Sequence, residues 1–199
     1  MRSVKTKEKI LRKAFKIFAK KGYEGARIDD ISRAVGINKA TIYYYFEGKR
    51  ELYEEVLYNE LTRIIPLLLQ ALSGSQEEIR EKIEKIVDVY FEFFEANPDT
   101  LKLILREIAS GARFLTPILE KIAQKEEYVK KGGAPALLKE YLKGNGLDPV
   151  NIWLNIVGMS NIHFIMYPFI EVFYNIKVDD EFLKKRKESI LAFVERFFK

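Results

Sequence analysis

Apolar residues along this chain recur at intervals of three and four and nowhere sustain an alternation, which predicts helices throughout and no sheet. In the first segment Ile10, Leu11, Ala14, Phe15 and Phe18 share one stripe, with Lys9, Lys13, Lys16 and Lys20 largely off it, and Gly22 ends the run. A short helix is expected over 28–35, with Ile28, Ile31, Ala34 and Val35 on one side and Asp29 and Asp30 in the first turn, where the helix dipole favours anions. Gly36 breaks it, and Asn38 is placed to cap a third helix that ends near Phe46 and Glu47.

A longer pattern follows over 49–72 through Leu52, Val56, Leu61 and Leu68, with a kink or an irregular turn expected at Pro66. Further helices are predicted over 76–96, 100–110, 117–130, 135–143, 149–174 and 180–198, separated by Gly132 with Gly133 and by the run GNG at 144–146. Between Asp148 and Glu171 no residue is charged. A stretch of that length could span a membrane, but Asn151, Asn155, Ser160, Asn161, His163 and Pro168 interrupt it, so a buried core or subunit-interface helix is the better expectation.

The 34 Lys and Arg against 29 Asp and Glu leave +5 over the 199 residues, but the charge is unevenly placed. Residues 1–50 hold 14 basic and 5 acidic groups, so the first quarter carries +9 and the remainder −4. Concentrated positive charge on a short folded segment suits a polyanion, either nucleic acid or an anionic membrane surface. The absence of Cys and the single His exclude a disulfide framework, a thiolate or His-rich metal centre and a cysteine nucleophile, and no cofactor is expected. The N-terminal run lacks the apolar core of a secretory signal, so a cytoplasmic location is expected.

Three short helices with a glycine turn between the second and third form a helix-turn-helix pattern, in which the later helix would enter the major groove. Turning 100° per residue from Lys39 puts Ile42 and Phe46 on one side with Tyr45 adjoining. Ala40 and Tyr44 come out opposite, flanked by Tyr43 and Thr41. Ala40 would let the backbone approach a groove, Tyr and Thr hydroxyls can bond phosphates or base edges, and Lys39 and Lys49 bracket the face with charge. A short helix cannot bury three consecutive tyrosines on one side.

The run GYEGARIDDISRAVGINKATIYYYFEGKRELY resembles the DNA-binding domain of TetR/AcrR-type transcriptional regulators over residues 22–53. That family's pattern is GY, a Thr/Ser pair, a short helix ending Ala-x-Gly-Val, a recognition helix of the form Ser-Lys-x-Thr-Leu-Tyr-x-His/Tyr-Phe, then Lys-Glu-x-Leu. The resemblance implies an all-α fold with a helix-turn-helix domain over 1–48 and an effector-binding and dimerisation domain over 49–199. It implies that Asn38, Lys39, Thr41, Tyr43, Tyr44 and Tyr45 contact DNA and that Lys49 binds phosphate. Ala26 and Arg27 stand where the family has Thr/Ser, and Arg27 is expected to supply a longer, charged contact instead.

The same resemblance implies a homodimer through the last two helices, a palindromic double-stranded operator, repression, and release by a small-molecule effector. Tyr90, Phe91, Phe94, Phe114, Trp153, His163, Phe164 and Tyr167 could line an apolar pocket, which points to an apolar or aromatic effector. The basic run KKRK at 184–187 reads as a solvated face or rim and not as a second nucleic-acid site. No nucleophile, base and orienting group come together in any local pattern, so an enzyme is not expected. The rival readings are a membrane-associated amphipathic helical protein and a carrier or enzyme for an apolar ligand with a vestigial helix-turn-helix.

Overall fold

The computed structural model describes residues 2–72, 79–125, 133, 136, 138, 139, 146 and 148–196, and among them the regular elements are all helices. In chain order these are α1 (Arg2–Gly25), α2 (Ile28–Val35), α3 (Lys39–Tyr45), α4 (Lys49–Thr62), α5 (Ile65–Leu72), α6 (Ile79–Ala96), α7 (Pro98–Ala109), α8 (Leu115–Lys125), α9 (Pro149–Tyr174) and α10 (Asp180–Glu195). The helix expected over 135–143 lies almost wholly outside the described residues, as do the ends of those expected to reach residues 130 and 198.

Packing sorts the chain into two units, one of Met1–Arg63 with Asn97–Lys125 and one of Ile64–Ala96 with Glu126–Lys199. Residues 49–63 and 97–125 therefore group with the N-terminal helices, and packing draws no line at 48/49. The reason is α4 itself: Leu52, Tyr53, Val56 and Leu57 are all buried, and they pack against the stripe of Ile10, Ala14 and Phe18 on α1. Burying a large apolar side chain contributes about 1.5–3 kcal/mol, so this seam outweighs the sequence break at Gly48.

Within the first unit α1 packs on α2, α4 and α7, while α8 packs on α4 and α7. Gly22 has φ 70° and ψ 178°, so the helical course is interrupted there as expected, although helical turns resume up to Gly25. Gly36 ends α2 at φ 75°, its N–H reaching the carbonyls of Ser32 (2.9 Å) and Arg33 (3.2 Å), while the N–H of Ile37 also returns to Ser32 (3.1 Å). That left-handed cap closes the turn into α3 and suits glycine because no Cβ has to be accommodated.

Of the kink or irregular turn expected at Pro66 the structure has the latter, residues 63–64 leaving the helix between α4 and α5. Proline's ring opposes the carbonyl four residues back, here that of Thr62, the last residue of α4. Pro66 then sits in the first turn of α5, where its missing N–H costs nothing. Pro98 likewise opens α7, two residues earlier than the sequence predicts.

In the second unit α6 lies against α5, α9 and α10, with Ile83, Ile86 and Val87 almost fully buried. Ile152, Ile156, Ser160 and His163 form the buried stripe of α9, and Ile190, Leu191 and Val194 that of α10. The run 184–187 is not simply a solvated face. The Lys187 ammonium bridges Glu84 (3.3 Å) and Asp88 (2.5 Å) on α6, and a guanidinium N–H of Arg186 donates to the carbonyl of Met159 (3.1 Å). Beyond its buried stripe α9 is bare: Val172, Phe173 and Tyr174 are 77%, 74% and 71% exposed. It is also long and apolar enough, by length and composition, to cross a membrane.

Candidate nucleic-acid interface

Helix α3 is seven residues long and begins at a side-chain cap, the Asn38 carboxamide oxygen accepting from the N–H of Ala40 at 3.0 Å. It is rooted by Ile42, which is fully buried, and by Phe46 at its end, which is 2% exposed. Tyr44 is 80% exposed and Tyr43 52% exposed. Asn38, Lys39 and Ala40 are exposed beside them, while Thr41 and Tyr45 are half-buried. The two rings of Tyr44 and Tyr45 meet edge to face with centroids 5.1 Å apart. Exposed tyrosines of this kind leave their hydroxyls to a partner, and an apolar anchor on the opposite side fixes their direction.

The positive groups around α3 are held in defined places. The Lys39 ammonium pairs with Asp29 (2.5 Å), and Asp30 holds both Lys21 (2.6 Å) and Arg33 (2.6 Å). The hydrogen bond from Lys21, with the neighbouring charge of Arg33, keeps the Asp30 carboxyl below the usual carboxylate range. Arg27 is exposed at the N-cap of α2 and makes no side-chain cap bond there, which follows from its lack of an acceptor atom. Lys49 opens α4, and its ammonium lies over the Tyr23 ring (4.4 Å from the centroid) and donates to the Glu24 carbonyl (3.3 Å). It ties the end of α1 to the start of α4, next to the free N–H groups of that helix.

Part of this unit escapes sequence reasoning. Tyr53 on α4 donates its hydroxyl to Glu107 on α7 (2.7 Å), and the other Glu107 oxygen accepts from the N–H of Phe114 (3.3 Å). Glu107 is 3% exposed. Burial and the bond to Glu107 push the Tyr53 hydroxyl above its ordinary pKa. The rings of Tyr23, Tyr53 and Phe114 meet with centroids 4.5–5.2 Å apart beside a cavity of about 290 Å³ that Arg106 and Arg113 also line. The available signal was a lone acid four residues after Leu103, on the apolar side of α7.

Of the residues expected to line an effector pocket, six come together in the second unit. The ring centroids of Phe91 and His163 are 4.6 Å apart and those of His163 and Phe164 4.0 Å. Phe94 meets Phe164 at 6.4 Å, and Tyr90 meets both Phe94 (6.3 Å) and Trp153 (6.1 Å). Phe114 does not belong with them. It lies in the first unit, because the turn after Ser110 brings it back to Glu107 and under Tyr23 and Tyr53. Tyr167 is 51% exposed, because the covered stripe of α9 ends at His163.

Residues 10–56 match the family described as bacterial regulatory proteins, tetR family. The chain is 41% identical over 64 residues to the biofilm operon icaADBC HTH-type negative transcriptional regulator IcaR of Staphylococcus epidermidis, covering 32% of this chain and 35% of that one. To IcaR of Staphylococcus aureus (strain Newman) it is 33% identical over 90 residues, covering 44% and 45%. The chain thus matches under half the length of these curated relatives. Among solved structures, a candidate transcriptional regulator from Streptomyces coelicolor aligns over 96% of this chain and 97% of its own, with 25% identity and a TM-score of 0.67. A TetR family transcription regulator from Marinobacter aquaeolei VT8 aligns over 96% and 97%, with 16% identity and a TM-score of 0.72, a likeness of fold.

Proposed function

We propose that this chain, whose residues 10–56 match the tetR family of bacterial regulatory proteins, is a cytoplasmic, ligand-responsive transcriptional repressor acting as a homodimer. The observation that carries the reading is the face of α3, where Tyr43 and Tyr44 stand out to solvent while Ile42 and Phe46 hold the helix from behind. Two such helices, related by a dimer axis, would enter successive major grooves of a palindromic operator about 34–36 Å apart. Asn38, Lys39, Ala40, Thr41, Tyr43, Tyr44 and Tyr45 would form the reading surface, with Arg27 and Lys49 on phosphates.

The bare face of α9, with Phe173 on it, is where we place the second subunit, together with α10. A subunit suits this helix better than a membrane, because Ser160, Asn161 and His163 lie along it. An apolar or aromatic effector would bind in the second unit among Phe91, Phe94, His163 and Phe164, and would release DNA by favouring a different spacing of the heads. The test is retardation of DNA from upstream of its own gene at low salt. Wild type is expected to bind and Tyr44→Ala to bind about tenfold or more weakly, the loss of one groove contact per head. No retardation, or equal affinity of the two proteins, would overturn the reading.

A further inference from the structure

The turn 175–179 between α9 and α10 borders a cavity of about 530 Å³. Its charged lining is Lys177, Lys185 and Arg186 against Asp179 and Glu181. Both acids are already engaged. Glu181 pairs with Lys185 at 2.6 Å, and the Asp179 carboxylate caps α10 by accepting from the N–H of Phe182 at 3.1 Å. Lys177 and Arg186 have no acidic partner among the described residues.

Arg186 is the more telling of the two. Its guanidinium is half-buried, and burial presses its pKa down, yet among the described residues its hydrogen bond is one to the Met159 carbonyl at 3.1 Å. A guanidinium carries five donors in a planar fork shaped for a carboxylate or phosphate. Phe182 also meets His163, with ring centroids 6.5 Å apart; that histidine is 1% exposed and has both ring nitrogens without a partner among the described residues. Buried polar groups ordinarily find partners, and neither His163 nitrogen has one among the described residues, whereas the unbonded nitrogens of Arg186, at the cavity wall, are open to solvent and free to take a ligand.

We propose that this cavity is a binding site for a small organic carboxylate, the anionic head pairing with the Arg186 guanidinium and the apolar body lying against Phe182 and Ile176. A monoanion fits better than a phosphate. Two unengaged cations beside Asp179 and Glu181 leave too little positive charge for a dianion. The site rests on the reading of this unit as the effector-binding one, and it adds an amphipathic, acidic ligand at the α9–α10 turn to the apolar effector placed among the rings of Phe91, Phe94, His163 and Phe164.

The experiment uses the full chain, with benzoate and octanoate as probes against neutral benzamide and octanol, read by thermal shift and calorimetry. The carboxylates are expected to raise the melting temperature with concentration, as a ligand of the folded state must. Arg186→Gln should weaken them about tenfold or more, Arg186→Lys should recover part of the loss, and Lys177→Gln should weaken them less than Arg186→Gln. If Arg186→Gln does not fold, Lys177→Gln and the salt dependence of wild-type binding decide instead, both falling if the site is ionic. Binding of acid and neutral probe alike, indifference to these substitutions, or no shift with either acid overturns the site. DNA retardation run in parallel separates the two ideas: retardation without carboxylate binding sinks the site alone, and carboxylate binding without retardation sinks the repressor reading alone.

Discussion

Lowering the pH from 7 to 5 should destabilise the chain through one residue. His163 is the only histidine, and burial, with the charge of Arg186 nearby, pulls its pKa down to about 4 from 6.5. The folded-state value lies below the unfolded one, so the unfolded chain takes up the proton first as the pH falls through the window from about 6.5 to about 4. Stability is therefore full above that window and is lost on acidification. For these two values the linkage relation gives a loss of about 2 kcal/mol between pH 7 and pH 5, a range in which ordinary carboxylates stay mostly ionised. That corresponds to a drop in melting temperature of roughly 4–8 °C for a chain of this size. The measurement is urea unfolding of wild type and His163→Phe at both pH values, comparing the change within each protein. Wild type should lose about 2 kcal/mol more than the variant. If the two lose the same amount, the histidine is not a buried neutral group and the reasoning fails.

Three further outcomes follow from the same coordinates. Tyr53→Phe removes the donor that satisfies buried Glu107, and should cost about 1.5–3 kcal/mol in denaturant unfolding, with no loss if the hydroxyl does not bond a charged carboxylate in solution. The raised Tyr53 pKa adds a sign: stability should fall as the pH rises above about 10, where the unfolded tyrosine ionises first, and Tyr53→Phe should abolish that part of the fall. Phe173→Glu, on the bare face of α9, should shift the protein to monomer in analytical ultracentrifugation while leaving helical content unchanged, and a dimer undisturbed by the charge would place the interface elsewhere.

The helices α1 to α3 were open to sequence reasoning because their signals are local. Ile42 and Phe46 return to one side by helix periodicity alone, Gly36 marks a turn that needs positive φ, and Asn38 sits one residue before a helix it can cap. What escaped depends on partners far away in sequence. Glu107 falls on the apolar side of α7, but nothing local names its partner until Tyr53 is brought against it from 54 positions away, and the same encounter moves Phe114 out of the group of rings it was expected to join. Lys187 was hidden for the same reason, since only the approach of α6 supplies Glu84 and Asp88. Proline chemistry was read correctly at Pro66, but periodicity could not tell a kink from a break, because that depends on which core each half joins.

The cap at Asn38 bears on which bases α3 could favour. With one lone pair of its oxygen taken by the N–H of Ala40, that side chain can offer an outside partner two amide N–H donors and one remaining acceptor position. Lys39 offers N–H groups as well, Tyr43 and Tyr44 add hydroxyls, and the helix itself contains no carboxylate. Such a surface is rich in donors and poor in acceptors. In the major groove it would suit the N7 and O6 of guanine, the N7 of adenine and the O4 of thymine, while the amino group of cytosine would find no carboxylate, only the neutral oxygens of tyrosine, threonine and Asn38, to accept from it.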